Sequence, residues 1–276
     1  MAAFSFRVLG LLGGGLLLAA AARAQSPAPV RPVAPVVGPA PSDEQSYRKE
    51  FVFGVNFNTQ GGLLGGASIR SARVRDEQWL RFWSLEGVML KNAKEERVNT
   101  LVGGSFINRK TNYAFALRPS VGVQRVLFRK AADAGVQVNG LLSVGPTLGL
   151  LMPYYISYDR TAARTGAPPN PQTDEIVNEQ YDPAKHSKTE AILDRGPLFS
   201  GIGQTKVVPG FHLRGGISFE YGRYRDAVTG LEVGFLVEAY TKRLLILSPS
   251  SLLEADPLNR QFFPSVYLTL YFGHRS

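Results

Sequence analysis

From residue 50 onward, apolar and polar residues alternate in eight separate stretches. In the clearest one, Phe211, Leu213, Gly215, Ile217, Phe219 and Tyr221 share one face, and His212, Arg214, Gly216, Ser218 and Glu220 share the other. Side chains on a strand alternate with a period of two, so this segment has one apolar face and one charged, polar face. The same reading predicts strands at about 50–58, 63–75, 79–90, 112–126, 136–157, 207–222, 228–243 and 263–273. No stretch of helical period longer than ten residues competes with them. Gly54, Gly122, Gly140, Gly145, Gly149, Gly215, Gly216 and Gly234 fall inside the strands. They would weaken an ordinary sheet and suit the curvature and narrow interior of a small barrel.

The connections alternate in length. Those at 76–78, 127–135 and 223–227 are short, and those at 91–111, 158–206 and 244–262 are long; the turn at 59–62 is short on the long-loop side. Such sorting by parity is the habit of membrane barrels, with short turns in the periplasm and long loops outside. It predicts an all-β fold: an eight-stranded antiparallel transmembrane up-and-down barrel with a filled polar lumen, both termini periplasmic and apolar strand faces turned to lipid. Tyr113, Tyr154, Tyr155, Tyr158, Tyr240, Phe262 and Phe263 then fall at the outer rim. Trp79, Trp83, Phe128, Tyr221, Tyr224, Tyr271 and Phe272 fall at the inner one, where aromatic belts meet lipid headgroups. A soluble, lipocalin-like periplasmic binder has the same strands with apolar faces inward. The direction of Phe211, Ile217 and Phe219 separates the two.

The N-terminus bears on the compartment. Arg7 precedes an uncharged run of fifteen residues, Val8 to Ala22, and Ala22-Arg23-Ala24 offers a cleavage site. This predicts a secretory signal peptide over 1–24, too short and glycine-rich for a spanning helix. Its removal takes away Arg7 and Arg23 and lowers the formal net charge from +9 to +7. With no cysteine in the chain, neither lipidation at a mature N-terminal cysteine nor a disulfide is available. Residues 25 to 41 hold six prolines, no aromatics and one charge, Arg31, so 25–49 is expected to be a disordered proline-rich linker before a barrel over 50–276.

The strand style Phe51-Val-Phe-Gly-Val-Asn-Phe and Val233-Gly-Phe-Leu-Val-Glu-Ala, with the closing strand Val266-Tyr-Leu-Thr-Leu-Tyr-Phe-Gly, resembles small outer-membrane barrels of the Bacteroidota type. It is similar in architecture to OmpA/OmpX-type barrels. The resemblance implies an outer-membrane location, contact with lipid and lipopolysaccharide, and delivery by the barrel-assembly machinery. Many such barrels end on an aromatic residue, whereas Gly273-His274-Arg275-Ser276 follow Phe272 here.

Glu86, Arg118, Arg214, Glu220, Glu232 and Glu238 are the candidate lumen charges. Eight strands enclose just enough room for side chains, so a conducting pore is disfavoured and the charges are expected to plug the lumen in pairs. A hairpin centred on Asp226 puts Arg214 opposite Glu238 and Glu220 opposite Glu232, with Arg118 neutralising the second pair. An outer-membrane lipid hydrolase or acyltransferase needs a serine and a histidine together at the rim. His186 beside Ser187, His212 six residues from Ser218, and His274 form no recognisable site. The Gly61-Gly62-Leu-Leu-Gly65-Gly66 run lacks the helix that a phosphate loop needs. Residues 91–111 carry five basic and two acidic side chains, a surplus that suits anionic lipopolysaccharide. Loop 158–206 is too long to be structureless without a role in binding, gating or surface cover. The expectation is a monomer with a structural or surface-interaction role, without catalytic residues, cofactor, metal or nucleic-acid partner.

Overall fold

The computed structural model describes residues 47–129, 135–221, 227–248 and 258–276, with backbone alone for 62–64. The expected signal peptide, most of the proline-rich linker, Tyr224 and Asp226 lie outside the described residues. Eight long strands form the barrel: β1 (Lys49–Asn58), β2 (Gly62–Val74), β3 (Trp79–Leu90), β6 (Asn112–Phe128), β7 (Gln137–Pro153), β11 (Lys206–Tyr221), β12 (Ala227–Tyr240) and β13 (Phe262–Arg275). Each pairs antiparallel with its neighbour along the chain, and β13 returns to pair with β1, so the sheet closes and has no edge. Closure pairs the backbone groups that an open sheet would leave bare, the condition for crossing hydrocarbon.

The barrel is inside-out. Phe211, Leu213, Ile217, Phe219 and Tyr221 of β11 all point outward, Phe211 with 55% of its surface exposed. Val233, Phe235 and Val237 of β12 do the same, as do Val266, Leu270 and Phe272 of β13. The alternate positions turn inward and are polar: His212, Ser218 and Glu220, then Glu232 and Glu238, then Ser265 and Thr269. A soluble barrel would expose the second set and bury the first, so the lipocalin-like arrangement is excluded.

Two expectations about the rims need correction. The tail after Phe272 is strand: β13 continues to Arg275, whose side chain is buried. The proposed outer aromatic belt is mostly interior, since Tyr113, Tyr154, Tyr158, Tyr240 and Phe263 are buried and only Phe262 of the larger rings is openly exposed. On the other rim Trp79, Trp83, Phe128, Tyr221 and Phe272 are exposed, and Tyr271 points inward. One belt is therefore present, on the side of the termini.

The long loops are folded. Loop 91–111 contains the hairpin of β4 (Glu96–Asn99) and β5 (Ser105–Asn108). The next loop contains β8 (Tyr155–Asp159), α1 (Arg160–Thr165), β9 (Ile176–Gln180) and β10 (Ile192–Arg195), in a sheet of order β10-β8-β9. The single strand expected over 136–157 is thus two, β7 and β8. Asp159 caps α1 by accepting from the Ala162 amide at 2.9 Å, and Gly166 at φ 73° ends it. These are the standard start and stop of a short helix.

The outward face sets a stability test. Phe235 lies near the middle of β12 with 70% exposure. Phe235→Arg places a guanidinium in hydrocarbon and should cost about 2–4 kcal/mol. Urea titration of the barrel folded into phosphatidylcholine vesicles measures this, and a change within about 0.5 kcal/mol would mean that this face meets water.

Candidate functional site

Parity alone drives the inward positions of eight strands into one narrow space, so inward charges meet there. Six of them form a continuous chain of alternating sign: Arg70, Glu232, Arg214, Glu86, Arg118, Glu238. Arg70 Nη1 lies 2.8 Å from Glu232 Oε2, and Arg214 bridges Glu232 at 2.8 Å and Glu86 at 3.1 Å. Arg118 reaches Glu86 at 2.9 Å and grips Glu238 side-on, through Nε at 2.8 Å and Nη2 at 2.5 Å. The fork geometry makes this the strongest kind of carboxylate contact. Three arginines and three glutamates leave the chain neutral.

Neutral groups complete it. Asn56 donates to Glu86 at 2.7 Å, and Tyr267 donates to Glu232 at 2.8 Å while the Arg214 guanidinium stacks 3.9 Å over its ring. Gly216 and Gly234 make that position possible, because a Cβ on either would come within 2.3 or 2.6 Å of the Tyr267 hydroxyl. Seven of the eight barrel strands contribute, all but β7. Near the termini Arg275 forms a second centre. It donates to Glu50 at 2.8 Å and to Glu220 at 2.8 and 2.5 Å, with Tyr47 4.2 Å from its guanidinium.

The six candidate lumen charges therefore all lie inside, but their partners differ from the expected ones. Arg214 stands opposite Leu236, and Glu220 opposite Gly230. The hairpin register is two residues away from one centred on Asp226. A slip of two keeps every side chain on its face and changes only its neighbours. Glu238 therefore belongs to Arg118, and Glu220 belongs to Arg275 rather than sharing a site with Glu232. Sequence reasoning missed Glu50, Arg70 and Arg275. Inward parity would have found Arg70, had β2 carried a clearer alternation; Arg275 was hidden by ending the last strand early.

Apolar clusters pack into the lumen toward both ends. Toward the loops, Leu244, Ile246 and Leu247 pack with Leu90, Tyr240 and Phe263 in an apolar plug. Asn259 holds the plug in place, accepting from the Ile246 and Leu247 amides at 2.9 and 3.1 Å and donating to the Leu247 carbonyl at 2.8 Å. Toward the termini, Leu80, Phe82, Val126 and Leu141 form another apolar cluster. The void beside Arg70 and Arg214 measures about 30 Å³, room for about two water molecules.

Above the plug the loops share their own core of Phe106, Tyr113, Met152, Tyr154, Ile156, Tyr158, Tyr181 and Ile192. The tyrosines accept loop amides while their rings pack: Ile107 N–H donates to the Tyr154 oxygen at 3.0 Å, and Tyr113 meets Tyr154 edge-on at 5.2 Å. Thr100 donates to the Leu193 carbonyl and Asp194 accepts from the Ser105 amide, which binds the two loops together. Of the five basic residues in loop 91–111, Lys110 is buried against Glu95 at 2.8 Å. Burial pushes its ammonium below the ordinary lysine value, against the pull of Glu95. Arg109 donates to the Ser248 carbonyl; Lys91, Lys94 and Arg97 remain exposed.

The histidines do not assemble a hydrolase site. His212 is buried in the lumen, bonded to Thr147 at 2.8 Å. His186 bonds Glu179 at 3.2 Å and Asp182, and packs edge-on against Tyr158. Burial raises the Glu179 carboxyl, but its bonds from Arg160 and His186 outweigh this and leave it below the usual range. His274 lies against Phe51. Among the described residues no group of three metal-ligating side chains is found.

No protein-family model and no curated protein matches the chain. Among solved structures the chain is similar to Ail, the attachment invasion locus protein of Yersinia pestis. One Ail structure, in complex with the heparin analogue sucrose octasulfate, is 7% identical with a TM-score of 0.35. A second is 8% identical with a TM-score of 0.36, and both alignments cover 83% of this chain and 99% of Ail. Similarity at this level carries no statement about a shared partner or role.

The ion chain generates a coupling test. Arg118→Ala or Glu238→Ala alone should cost about 3–5 kcal/mol by stranding the other charge. The double variant should cost less than their sum by about 1–3 kcal/mol. Arg118→Ala with Arg275→Ala, from separate centres, should be additive within about 0.5 kcal/mol. Equal coupling in both pairs, measured by denaturant unfolding in detergent, would dissolve the two-centre description.

Proposed function

We propose that the protein is an outer-membrane barrel that holds a folded cap at the cell surface for contact with other surface molecules. The observation that carries this is the filled lumen: its charges are buried in pairs, and the void beside Arg70 and Arg214 measures about 30 Å³, too small for a hydrated solute. With transport through the barrel removed, the chain's investment lies in the cap. The cap has a core of its own and exposes Leu101, Leu198, Phe199 and Ile202, the last at 65%. Exposed apolar side chains on a rigid scaffold suit a binding surface. Lys91, Lys94 and Arg97 at its base fit anionic lipopolysaccharide in the outer leaflet. The paired lumen charges serve as a structural plug, and lipid hydrolysis is disfavoured because His186 and His212 are each engaged with partners other than serine.

Topology can be read directly because the chain has no cysteine. Ser200→Cys in the cap should react with a membrane-impermeant maleimide on intact cells, and Glu77→Cys in the β2–β3 turn only after lysis. Reaction of Glu77→Cys alone would invert the assignment, and labelling of neither would place the protein elsewhere. Replacing Lys91, Lys94 and Arg97 together by Gln should weaken binding of purified lipopolysaccharide about tenfold, since three exposed ion pairs are worth about 0.5 kcal/mol each. Unchanged binding would remove these residues from the contact.

A further inference from the structure

We propose that the barrel wall carries an anionic glycerophospholipid site on its lipid face, at the rim of the short turns. The inference rests on the membrane reading above and concerns a surface that neither the lumen nor the cap uses. Lys49 of β1, Arg73 of β2 and Arg81 of β3 stand directly opposite one another across the sheet, all outward and exposed. Neighbouring strands are about 4.8 Å apart, and like charges directly opposite repel. Among the described residues none of the three has an ion pair, in a protein that otherwise matches its buried charges closely. Asp76 and Glu77 sit in the turn between β2 and β3. Asp76 is occupied in accepting from the Gln78 and Trp79 amides at 3.1 and 2.9 Å. Arg75 adds a fourth exposed cation, and Arg125 a fifth, its guanidinium 5.4 Å over the Trp79 ring.

The row stands at the level of Trp79 and Trp83, the belt that marks the headgroup boundary. From it an open groove of about 1120 Å³ runs up the wall into the hydrocarbon zone. Arg73 and Arg81 line its rim end; Trp83, Val121, Leu142 and Leu213 line its length. The strand pairings confirm the path: Arg81 is opposite Val123 and Val123 opposite Leu142, while Trp83 is opposite Val121, Val121 opposite Val144 and Val144 opposite Leu213. A cationic mouth opening onto an apolar trough matches a phosphate diester with its acyl chains attached. The phosphate sits between Arg73 and Arg81 and relieves their repulsion, and one chain lies along the groove. A free phosphate would satisfy the mouth and leave the trough unused.

Native mass spectrometry of the detergent-extracted, folded barrel, offered phosphatidylglycerol and phosphatidylcholine of equal chain length, tests the site. Retention of phosphatidylglycerol over phosphatidylcholine is expected. The Arg73→Gln/Arg81→Gln variant should lose that preference by about tenfold or more, the worth of one charge-assisted hydrogen bond. Lys206→Gln, an exposed cation at the opposite end of β11, should keep it. Val121→Trp, which fills the trough and leaves the cations in place, should also reduce retention. The heat-dependent gel shift of a folded barrel verifies each variant. Equal retention of both lipids, or undiminished preference in the double arginine variant, overturns the proposal. Displacement of the lipid by glycerol 3-phosphate at comparable concentration overturns it in favour of a simple ion site. Failure of the unaltered protein to enter bilayers would instead count against the membrane reading itself.

Discussion

An arginine enclosed in this barrel has no bulk water to turn to, and every other feature of the interior follows from that. Desolvating a guanidinium or a carboxylate costs several kcal/mol, roughly, and only a close partner of opposite sign offsets it. Six charges meet the demand as one neutral chain across five strands, and Asn56, Tyr267 and Thr269 bring in two more. The contacts do not follow the sheet. Arg118 of β6 and Glu238 of β12 are separated by two intervening strands, as are Arg214 of β11 and Glu86 of β3. Such bridges span the lumen and brace opposite walls. They also select the register, because sliding one strand by two residues would preserve its faces while stranding a charge.

The same constraint explains the glycines. A full-sized Tyr267, lying across the interior to reach Glu232, needs walls without side chains beside it, and Gly216 and Gly234 supply them. Glycine weakens a strand considered alone. Here it lets an aromatic ring, a guanidinium and a carboxylate stack within a space that eight strands barely enclose. Arg275 and Tyr47 repeat the combination near the termini. This also accounts for a chain that runs past its last aromatic residue: the strand must reach Arg275 to close the ion centre with Glu50 and Glu220.

How legible this was from sequence depended on the range of the interaction. Alternation is local, so the eight barrel strands, their faces and the parity of their loops could be read from single segments such as 211–221. Partner choice is not local. The sequence places Arg214 and Glu238 on inward faces, but whether they meet depends on the pairing register, which sets Arg214 opposite Leu236 and leaves no mark in any single segment. The loop tyrosines misled for a related reason. Tyr154 and Tyr158 follow β7 directly and look like a lipid belt, yet the chain bends there and starts a second sheet, where an aromatic ring with a polar tip fits a small core. The chain over 155–195 shows no strong periodicity because β8, β9 and β10 have only five, five and four residues. Strands that short carry too few alternations to register as a pattern.

Filling the lumen divides the molecule into surfaces that work independently. In an open barrel the inner wall is a functional surface and the loops guard its mouth. Here the mouth is closed by Leu244, Ile246 and Leu247, fixed by Asn259, and the loops are free to build a core on top of that plug. Chemistry with other molecules is then confined to the cap and the outer wall. The two differ in kind. The cap offers scattered apolar residues over a mixed-charge surface, the binding face of the proposed role. The wall offers opposed cations, without an ion pair among the described residues, beside a trough in its apolar face, suited on the proposed reading to a membrane lipid. In a protein that matches its buried arginines with glutamates, three opposed cations that have no ion pair among the described residues mark the position where, on the proposed reading, a lipid phosphate takes the place of the carboxylate.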